Sequence, residues 1–281
     1  MPPYDDMLGE EEMDHEAVES LRRGSLGEPI VVCVEGAGFQ AFARQANVFD
    51  WPHDERLAEA MDAATIAVVD ELKCALGYTH AGEATFVFWN PDEAVACDGA
   101  FQELATLATS IVTDVFNDAG RELFPDAFDK GRARFKATAH GLPSLELAAR
   151  YFDWRERQAR KNAVLAAARG MFKQTALDGR SRHDMKDMMA EQAGLDFDAH
   201  YPERFRRGAF FRRMKFERHL TEEELARIPQ DRRPTGPVMR SSVRMMEDVP
   251  PLVLIDNLVG FVFHKEDPVV VDLPFAASVA L

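Results

Sequence analysis

This sequence of 281 residues has few cysteines, no long apolar run and no excess of positive charge. The three cysteines, Cys33, Cys74 and Cys97, form no Cys-x-x-Cys pair and no cluster with histidine, so they indicate neither a disulfide framework nor a structural zinc site. No apolar stretch approaches the length of a membrane span, and the first residues are acidic where a secretory signal would be basic and then apolar. The sequence therefore predicts a cytoplasmic protein with buried thiols and no membrane partner.

Positive charge is scarce, because 33 Lys and Arg stand against 48 Asp and Glu, which gives a formal net charge of −15. This balance opposes sequence-independent binding of nucleic acid by the whole protein, since the phosphate backbone is repelled at long range. Any nucleic-acid site must therefore be a local basic patch. Hydrophobic residues make up 46% of the chain, which is enough for a substantial core in one large or two small domains.

The run PIVVCVEGAGF, residues 29–39, is apolar and β-branched and predicts a buried strand that ends at Glu35. Gly36 and Gly38 follow it. Because glycine has no Cβ, the main chain can bend sharply there and bring its amides and carbonyls close to a phosphate or a metal. An ordinary strand end with a glycine turn explains the same residues, so this run alone does not establish a site.

The segments that follow predict a helix, a hairpin, a second helix and a further strand. Apolar residues recur every three or four positions over residues 54–76, with Gly77 ending the helix, and again over residues 101–115. The stretch YTHAGEATFVFW, residues 78–89, predicts a hairpin with Glu83 near its tip, and residues 132–139 predict a strand. This order is the ferredoxin-like βαββαβ plan of polymerase palms, an α+β fold with an antiparallel sheet and helices on one face.

Glu35 and Glu83 are the candidate catalytic residues on this plan. Palms place one acid at the end of the first strand and another at the central hairpin, adjacent in the sheet. Two such carboxylates hold two divalent ions, which activate the attacking oxygen and neutralise charge on the transferring phosphate.

Two stretches, GEPIVVCVEGAGFQAFAR and FDWPHDERLAEAMDAATIAVVDELKCALGYTHAGEATFVF, resemble the tRNA-His guanylyltransferase family, in particular its compact bacterial and phage-borne members. The first family motif is Arg-x-Asp-Gly-Arg-x-Phe and the hairpin motif is Gln-Ser-Asp-Glu. The residues at the positions of these motifs are Cys33, Glu35, Gly36, Ala37 and Phe39, then His80, Ala81, Gly82 and Glu83.

The likeness continues through most of the chain. Residues 151–172 resemble the family helix Trp-Arg-Gln-x-Asp-x-x-x-Asn, with Trp154, Arg155, Glu156 and Asn162 in place and Gln158 at the Asp position. The stretch YPERFRRG, residues 201–208, is similar to the segment that carries the Arg-Lys-Gly motif, and residues 228–263 look like phage-type relatives.

The resemblance implies that a nucleotide, usually guanosine, is added to the 5′ end of tRNA in the 3′ to 5′ direction, with GTP and ATP as substrates and two Mg²⁺ ions. It implies Glu35 and Glu83 as catalytic acids and, together with Gly36, as metal ligands. The residues that it assigns to the nucleotide are Gly36, Ala37, Gly38, Phe39 and Asn162. Basic residues expected to contact RNA are Arg155, Arg157, Arg160, Arg206 and Arg207. Family members are commonly dimers or tetramers, so a homo-oligomer is an open expectation.

Departures from the motifs leave two interpretations open. Glu35 is one methylene longer than the Asp it replaces, and Gly82 offers no side chain where the family has its second Asp. Cys33 and Ala37 replace arginines that would pair with phosphate. The first interpretation is a divergent nucleotidyltransferase, and the alternative is a homologue that binds RNA or nucleotide without transfer. A nucleotide cyclase is disfavoured, because the sequence has no GGDEF-like hairpin.

We expect four regions along the chain. They are an acidic leader at residues 1–28, a palm-like core at 29–142, a helical and basic segment at 143–220 that completes the core, and a helical C-terminal extension at 221–281.

Overall fold

The computed structural model describes residues 28–89, 101–128 and 131–271, so Cys97 and nearly all of the expected acidic leader lie outside the described residues. The strands are β1 Ile30–Gly36, β2 Leu76–His80, β3 Glu83–Phe88, β4 Phe135–Gly141, β5 Ala209–Arg218 and β6 Val238–Met245. The helices are α1 Phe39–Ala46, α2 Glu55–Glu71, α3 Phe101–Leu123, α4 Pro125–Phe128, α5 Leu145–Met171, α6 Gln174–Leu177, α7 Arg182–Ala193, α8 Phe197–His200, α9 Glu203–Arg207, α10 Glu222–Ala226 and α11 Leu258–Phe263. None of the described helices is long and apolar enough to cross a membrane.

All six strands form one sheet in the order β4-β1-β3-β2-β5-β6, and every neighbouring pair is antiparallel. The first four strands, with α2 and α3 between them, are the predicted βαββαβ palm, so the α+β fold class is confirmed. The segment at 143–220 is not helical throughout, because β5 adds a fifth strand along β2. Phe210 and Phe211 are buried on opposite faces of the sheet. A shift of one residue would exchange their faces, so their burial fixes the register of β5 with β2.

Helices cover both faces of the sheet. On the first face, Val32, Val34 and Phe86 pack in one core with α2 and α3, the arrangement that the palm plan predicts. On the second face, Val31 and Val87 pack in another core with α5 and α11. Because successive strand residues alternate between faces, β1, β3 and β5 contribute to both cores.

Helix α2 ends at Glu71 rather than at Gly77. Gly77 lies inside β2, where an added Cβ would stand 2.6 Å from Val69 Cγ2 and 3.1 Å from Thr65 Cγ2. The glycine is therefore needed for the close approach of α2 to the sheet and does not terminate the helix.

Helix α5 confirms the long helix predicted over residues 151–172 and begins six residues earlier, where Ser144 accepts a hydrogen bond from the Leu147 amide. Its first half buries Tyr151 and Phe152 against the second face of the sheet. Its second half packs Ala163 and Ala167 in a separate core with α7. The helix therefore places Tyr151 and Arg155 beside the edge of the sheet where β1 ends and β3 begins.

Candidate active site

Glu35 and Glu83 lie directly opposite each other in the pairing of β1 with β3. Residues that are direct cross-strand partners point to the same face of a sheet. Cys33 and Thr85 are the next such pair on that face, which is the second face, beneath α5. The two acids thus share one face at the end of the sheet, which is the geometry that the palm plan requires.

Each of these acids is bound by a basic side chain. Lys136, the partner of Glu35 in the pairing of β1 with β4, places its Nζ 2.7 Å from Glu35 Oε1. Arg155 of α5 donates a hydrogen bond from its guanidinium to Glu83 Oε2. The Arg155 side chain is only 17% exposed, whereas that of Lys136 is 67% exposed, so the Arg155 pair is the less screened of the two.

The site residues do not fit the two-magnesium centre that the family resemblance implies. Such a centre needs several oxygen ligands with uncompensated negative charge. Over residues 28–89, 101–128 and 131–271, no three His, Cys, Asp or Glu side chains come together as a metal-binding group. His80 does not supply a ligand through Nε2 either, because that nitrogen is hydrogen-bonded to the Phe205 carbonyl. Burial lowers the pKa of the imidazole to about 4, so the ring is neutral at pH 7.

Gly82 faces away from the two acids. An added Cβ at Gly82 would lie 2.9 Å from Phe39 Cδ1, and one at Gly36 would lie 2.5 Å from Phe39 Cβ. Phe39 packs on the first face, with its ring centroid 5.7 Å from that of Phe116 on α3. A carboxylate at position 82 would therefore point towards the aromatic core and not towards Glu35.

In the glycine turn after β1, two of the amides that were predicted to bind a phosphate are already hydrogen-bonded to backbone carbonyls. The Gly36 amide donates to the Gly82 carbonyl at 3.1 Å, and the Ala37 amide donates to the Arg134 carbonyl at 2.7 Å. Gly38, with φ 69°, is the N-cap residue that precedes α1, and it is exposed. Because the first amides of a helix have no partner within the helix, a phosphate at this turn would meet the backbone from Gly38 onwards.

Two residues that sequence reasoning missed complete this corner of the sheet. Lys136 is one, and Tyr151, whose hydroxyl lies 3.0 Å from Cys33 Sγ, is the other. Burial raises the pKa of the Cys33 thiol, although the nearby Arg155 acts in the opposite direction. Tyr151 and Arg155 are four residues apart on α5, so a helical spacing argument could have placed them on one side of the helix.

The residues expected to contact RNA are in different environments. Arg207 is 7% exposed and is paired with Glu156 and Glu203, so its charge is compensated inside the protein. Arg157 pairs with Asp153, and Arg206 pairs with Asp198. Of the residues on α5 that were predicted to contact nucleotide or RNA, Arg157 and Arg160 are partly exposed and Asn162 is fully exposed. Asn162 lies two turns after Arg155, about 10 Å along the helix.

Comparison with known proteins gives a family for part of the chain. The sequence model of the tRNAHis guanylyltransferase family matches residues 15–143. No curated protein matches the sequence. The resemblance to this family is therefore confirmed over the palm.

Three solved structures show the same fold over most of the chain. A bacterial tRNA(His) guanylyltransferase-like protein in complex with ATP is 22% identical with a TM-score of 0.68, and the match covers 89% of this chain and 96% of that chain. Another structure of that description, in complex with GTP, is 20% identical with a TM-score of 0.62 and coverages of 90% and 99%. The tRNA(His) guanylyltransferase from Saccharomyces cerevisiae is 20% identical with a TM-score of 0.59 and coverages of 69% and 90%.

Proposed function

We propose, from the membership of residues 15–143 in the tRNAHis guanylyltransferase family, that this protein binds nucleoside triphosphates and the 5′ end of tRNA or a related RNA without two-magnesium nucleotidyl transfer. The observation that carries the proposal is the pairing of Glu35 with Lys136 and of Glu83 with Arg155. Gly82, at the position of the second family Asp, adds no carboxylate.

The charge balance at the site supports binding more than transfer. A metal ion ligated by Glu83 would lie close to the largely buried positive charge of Arg155, which would repel it. Glu35 could leave the exposed Lys136 at little cost. A single free carboxylate is too few for two ions, each of which supplies several kcal/mol of charge stabilisation in a two-metal reaction.

The remaining groups suit a nucleotide and an RNA end. The first amides of α1, at Gly38 and Phe39, and its helix dipole favour a phosphate group. Asn162 and Arg160 on α5 offer donors to the rest of the nucleotide or to RNA. Arg206 on α9 is paired with Asp198 and would have to exchange that partner for a phosphate. The relatives solved with ATP and with GTP support a purine nucleoside triphosphate as the ligand. A homo-oligomer and a cytoplasmic location stay predictions.

Calorimetric titration of GTP and ATP into the full-length protein, once with magnesium and once with EDTA, tests the proposal. We expect binding with similar affinity in both buffers, since no resident metal is needed. Glu35→Gln serves as the matched variant and should leave the ratio of the two affinities unchanged. Loss of binding in EDTA would contradict the proposal.

An active nucleotidyltransferase is the second candidate. The register that sets Glu35 opposite Glu83 on one face favours it, because this is the placement that a palm enzyme uses. It predicts that GTP affinity falls both in EDTA and in Glu35→Gln, which is the pattern that the first proposal excludes.

A further inference from the structure

Strands β5 and β6 continue as a two-stranded ribbon beyond the end of β2. β5 pairs with β2 only over Ala209–Phe211, whereas it pairs with β6 over Phe211–Arg218. Residues 212–218 and their partners on β6 therefore extend past the neighbouring strand. An exposed projection of this kind can contact a partner that a flat sheet face cannot reach.

One face of this ribbon carries arginines around an aromatic ring. Alternation places Arg212, Phe216, Arg240 and Arg244 on the second face of the sheet, the face that also carries Glu35 and Glu83. In the register, Arg240 is opposite Phe216 and Arg244 is opposite Arg212. We call Phe216, Arg240 and Arg244 the arginine face of the ribbon.

The Arg244 guanidinium is held in a fixed orientation. Its Cζ lies 3.7 Å from the centroid of the Phe216 ring, and its Nε donates to Ser242 Oγ at 3.2 Å. Because the N–H donors of a guanidinium lie in its plane, stacking one face on a ring leaves the donors at its edge available. Arg240 and Arg244 are both exposed, and neither forms an ion pair with any acid of the described residues.

Neighbouring basic residues on the ribbon are used differently. Arg212 is buried, donates to the Phe261 carbonyl at 3.2 Å and stacks on that ring, so it anchors the ribbon to α11. Arg213 pairs with Asp70 of α2, and Arg218 pairs with Glu224 of α10. On the second face of the ribbon, uncompensated positive charge is thus concentrated at Arg240 and Arg244, in a protein whose net charge is −15.

We propose that the arginine face binds the phosphate backbone of RNA. The inference rests on the proposed function and extends it to a second contact, remote from the 5′ end. Thr79, near the hairpin, pairs with Ala209 of β5. Phe216 is seven residues further along β5, so it lies about 23 Å from Ala209 along the strand. At about 3.4 Å per nucleotide along one strand of a duplex, this separation is spanned by several nucleotides and not by a single nucleoside triphosphate.

Fluorescence anisotropy with a labelled tRNA transcript over a salt series tests this inference. Arg240→Gln and Arg244→Gln should each weaken RNA binding several-fold and should each reduce the slope of log K against log salt by about 1, the loss of one phosphate contact. The matched control is Lys215→Gln, which removes the same charge from an exposed position on the opposite face of β5. It should leave the affinity and the slope unchanged.

The outcomes separate this inference from the proposed function. RNA binding that keeps its wild-type affinity and slope in the Arg240→Gln/Arg244→Gln double variant overturns the role of the ribbon alone. A loss of affinity equal in Lys215→Gln and in the two arginine variants overturns it as well, because the effect is then one of net charge. Absence of RNA binding by the wild-type protein overturns it together with the RNA part of the proposed function, while GTP calorimetry reports on the nucleotide part independently.

Discussion

Among single residues, Glu156 and Arg207 form a buried ion pair in which both side chains make further hydrogen bonds. Arg207 Nε donates to Glu156 Oε1 at 2.7 Å, and an Arg207 terminal nitrogen donates to the Val249 carbonyl at 3.0 Å. The other oxygen of Glu156 accepts from the Leu252 amide at 2.7 Å. Burial raises the pKa of Glu156, and the Arg207 charge opposes that rise. The pair therefore ties α5 and α9 to the segment that leads to α11.

Arg207→Met should destabilise the protein by about 3–5 kcal/mol, because it leaves the Glu156 charge buried without its partner. The double variant Glu156→Met/Arg207→Met should lose less, since neither charge then remains. Arg206→Met, which removes a more exposed arginine of the same helix, is the control and should cost at most about 1 kcal/mol. Urea unfolding measures all three, and an Arg207→Met variant as stable as Arg206→Met would disprove this assignment.

His80 should make the protein less stable as the pH falls. Burial lowers its folded-state pKa to about 4, below the usual value of 6.5. The unfolded chain therefore binds a proton before the folded one does, so stability is fully present above pH 6.5 and is lost as the pH falls towards 4. The loss amounts to at most about 3 kcal/mol. Urea midpoints between pH 4 and 7 should show a shallower acid decline in His80→Gln, and a decline as steep as that of the wild type would count against this prediction.

Asp62 should make the protein less stable as the pH rises, which is the opposite of the effect of His80. Burial raises its folded-state pKa to about 6 even though Arg204 opposes the rise. Stability is then greatest below the unfolded value of 3.8 and falls as the pH rises through about 6. Asp62→Asn should flatten this fall in the same urea series. If Asp62→Asn and the wild type change in parallel over this range, the raised pKa is wrong.

Gly82→Asp should not create a metal site. Its Cβ would meet the Phe39 ring, and its carboxylate would point to the first face of the sheet, away from Glu35 and Glu83. We expect a loss of about 1–3 kcal/mol from overpacking. Gly82→Ala separates the effect of the Cβ from that of the charge. Magnesium-dependent nucleotide transfer by Gly82→Asp would show that the new carboxylate reaches the two acids, contrary to this prediction.

At the scale of elements, the start of α2 depends on one buried side chain. Asp54 accepts hydrogen bonds from the Arg56 and Leu57 amides within the helix and from the Asp50 amide before it. Asp54→Ala should therefore cost up to about 2 kcal/mol, and Ser144→Ala, which removes the single cap bond of α5, about 1 kcal/mol. Urea unfolding compares the two. Equal losses would show that the additional bonds of Asp54 do not contribute.

The elements that could be predicted from the sequence are those with local patterns. Periodicity and turn residues within a few positions predict three of them. These are strand β1, the hairpin around Glu83 and the long helix predicted from Tyr151. The pairing of β5 with β2 joins Phe211 to Gly77, far apart in sequence, and only tertiary packing decides it. The same applies to the ion pairs of the site, because Lys136 reaches Glu35 through the register of β1 with β4.

For the whole molecule, the sheet explains how a strongly acidic protein can carry a local basic surface. The palm keeps Glu35 and Glu83 together at one end of the second face. On the same face, the ribbon of β5 and β6 carries Arg240 and Arg244 away from that end. An RNA that contacts both regions would lie along the second face of a sheet that this protein shares with tRNAHis guanylyltransferases. Whether Glu35 and Glu83 can bind metal ions depends on their pairing with Lys136 and Arg155.

The incorporation of labelled GTP into tRNA tests the central claim most directly. Purified full-length protein, in excess over tRNA carrying a 5′ monophosphate or triphosphate, is incubated with magnesium and ATP and followed over a single turnover. Because both acids are held by basic side chains and Gly82 provides no carboxylate, we expect no nucleotide to be added, although GTP and RNA are bound. Magnesium-dependent addition to the 5′ end that disappears in Glu35→Gln would show that the carboxylates act as a metal centre and would contradict the account.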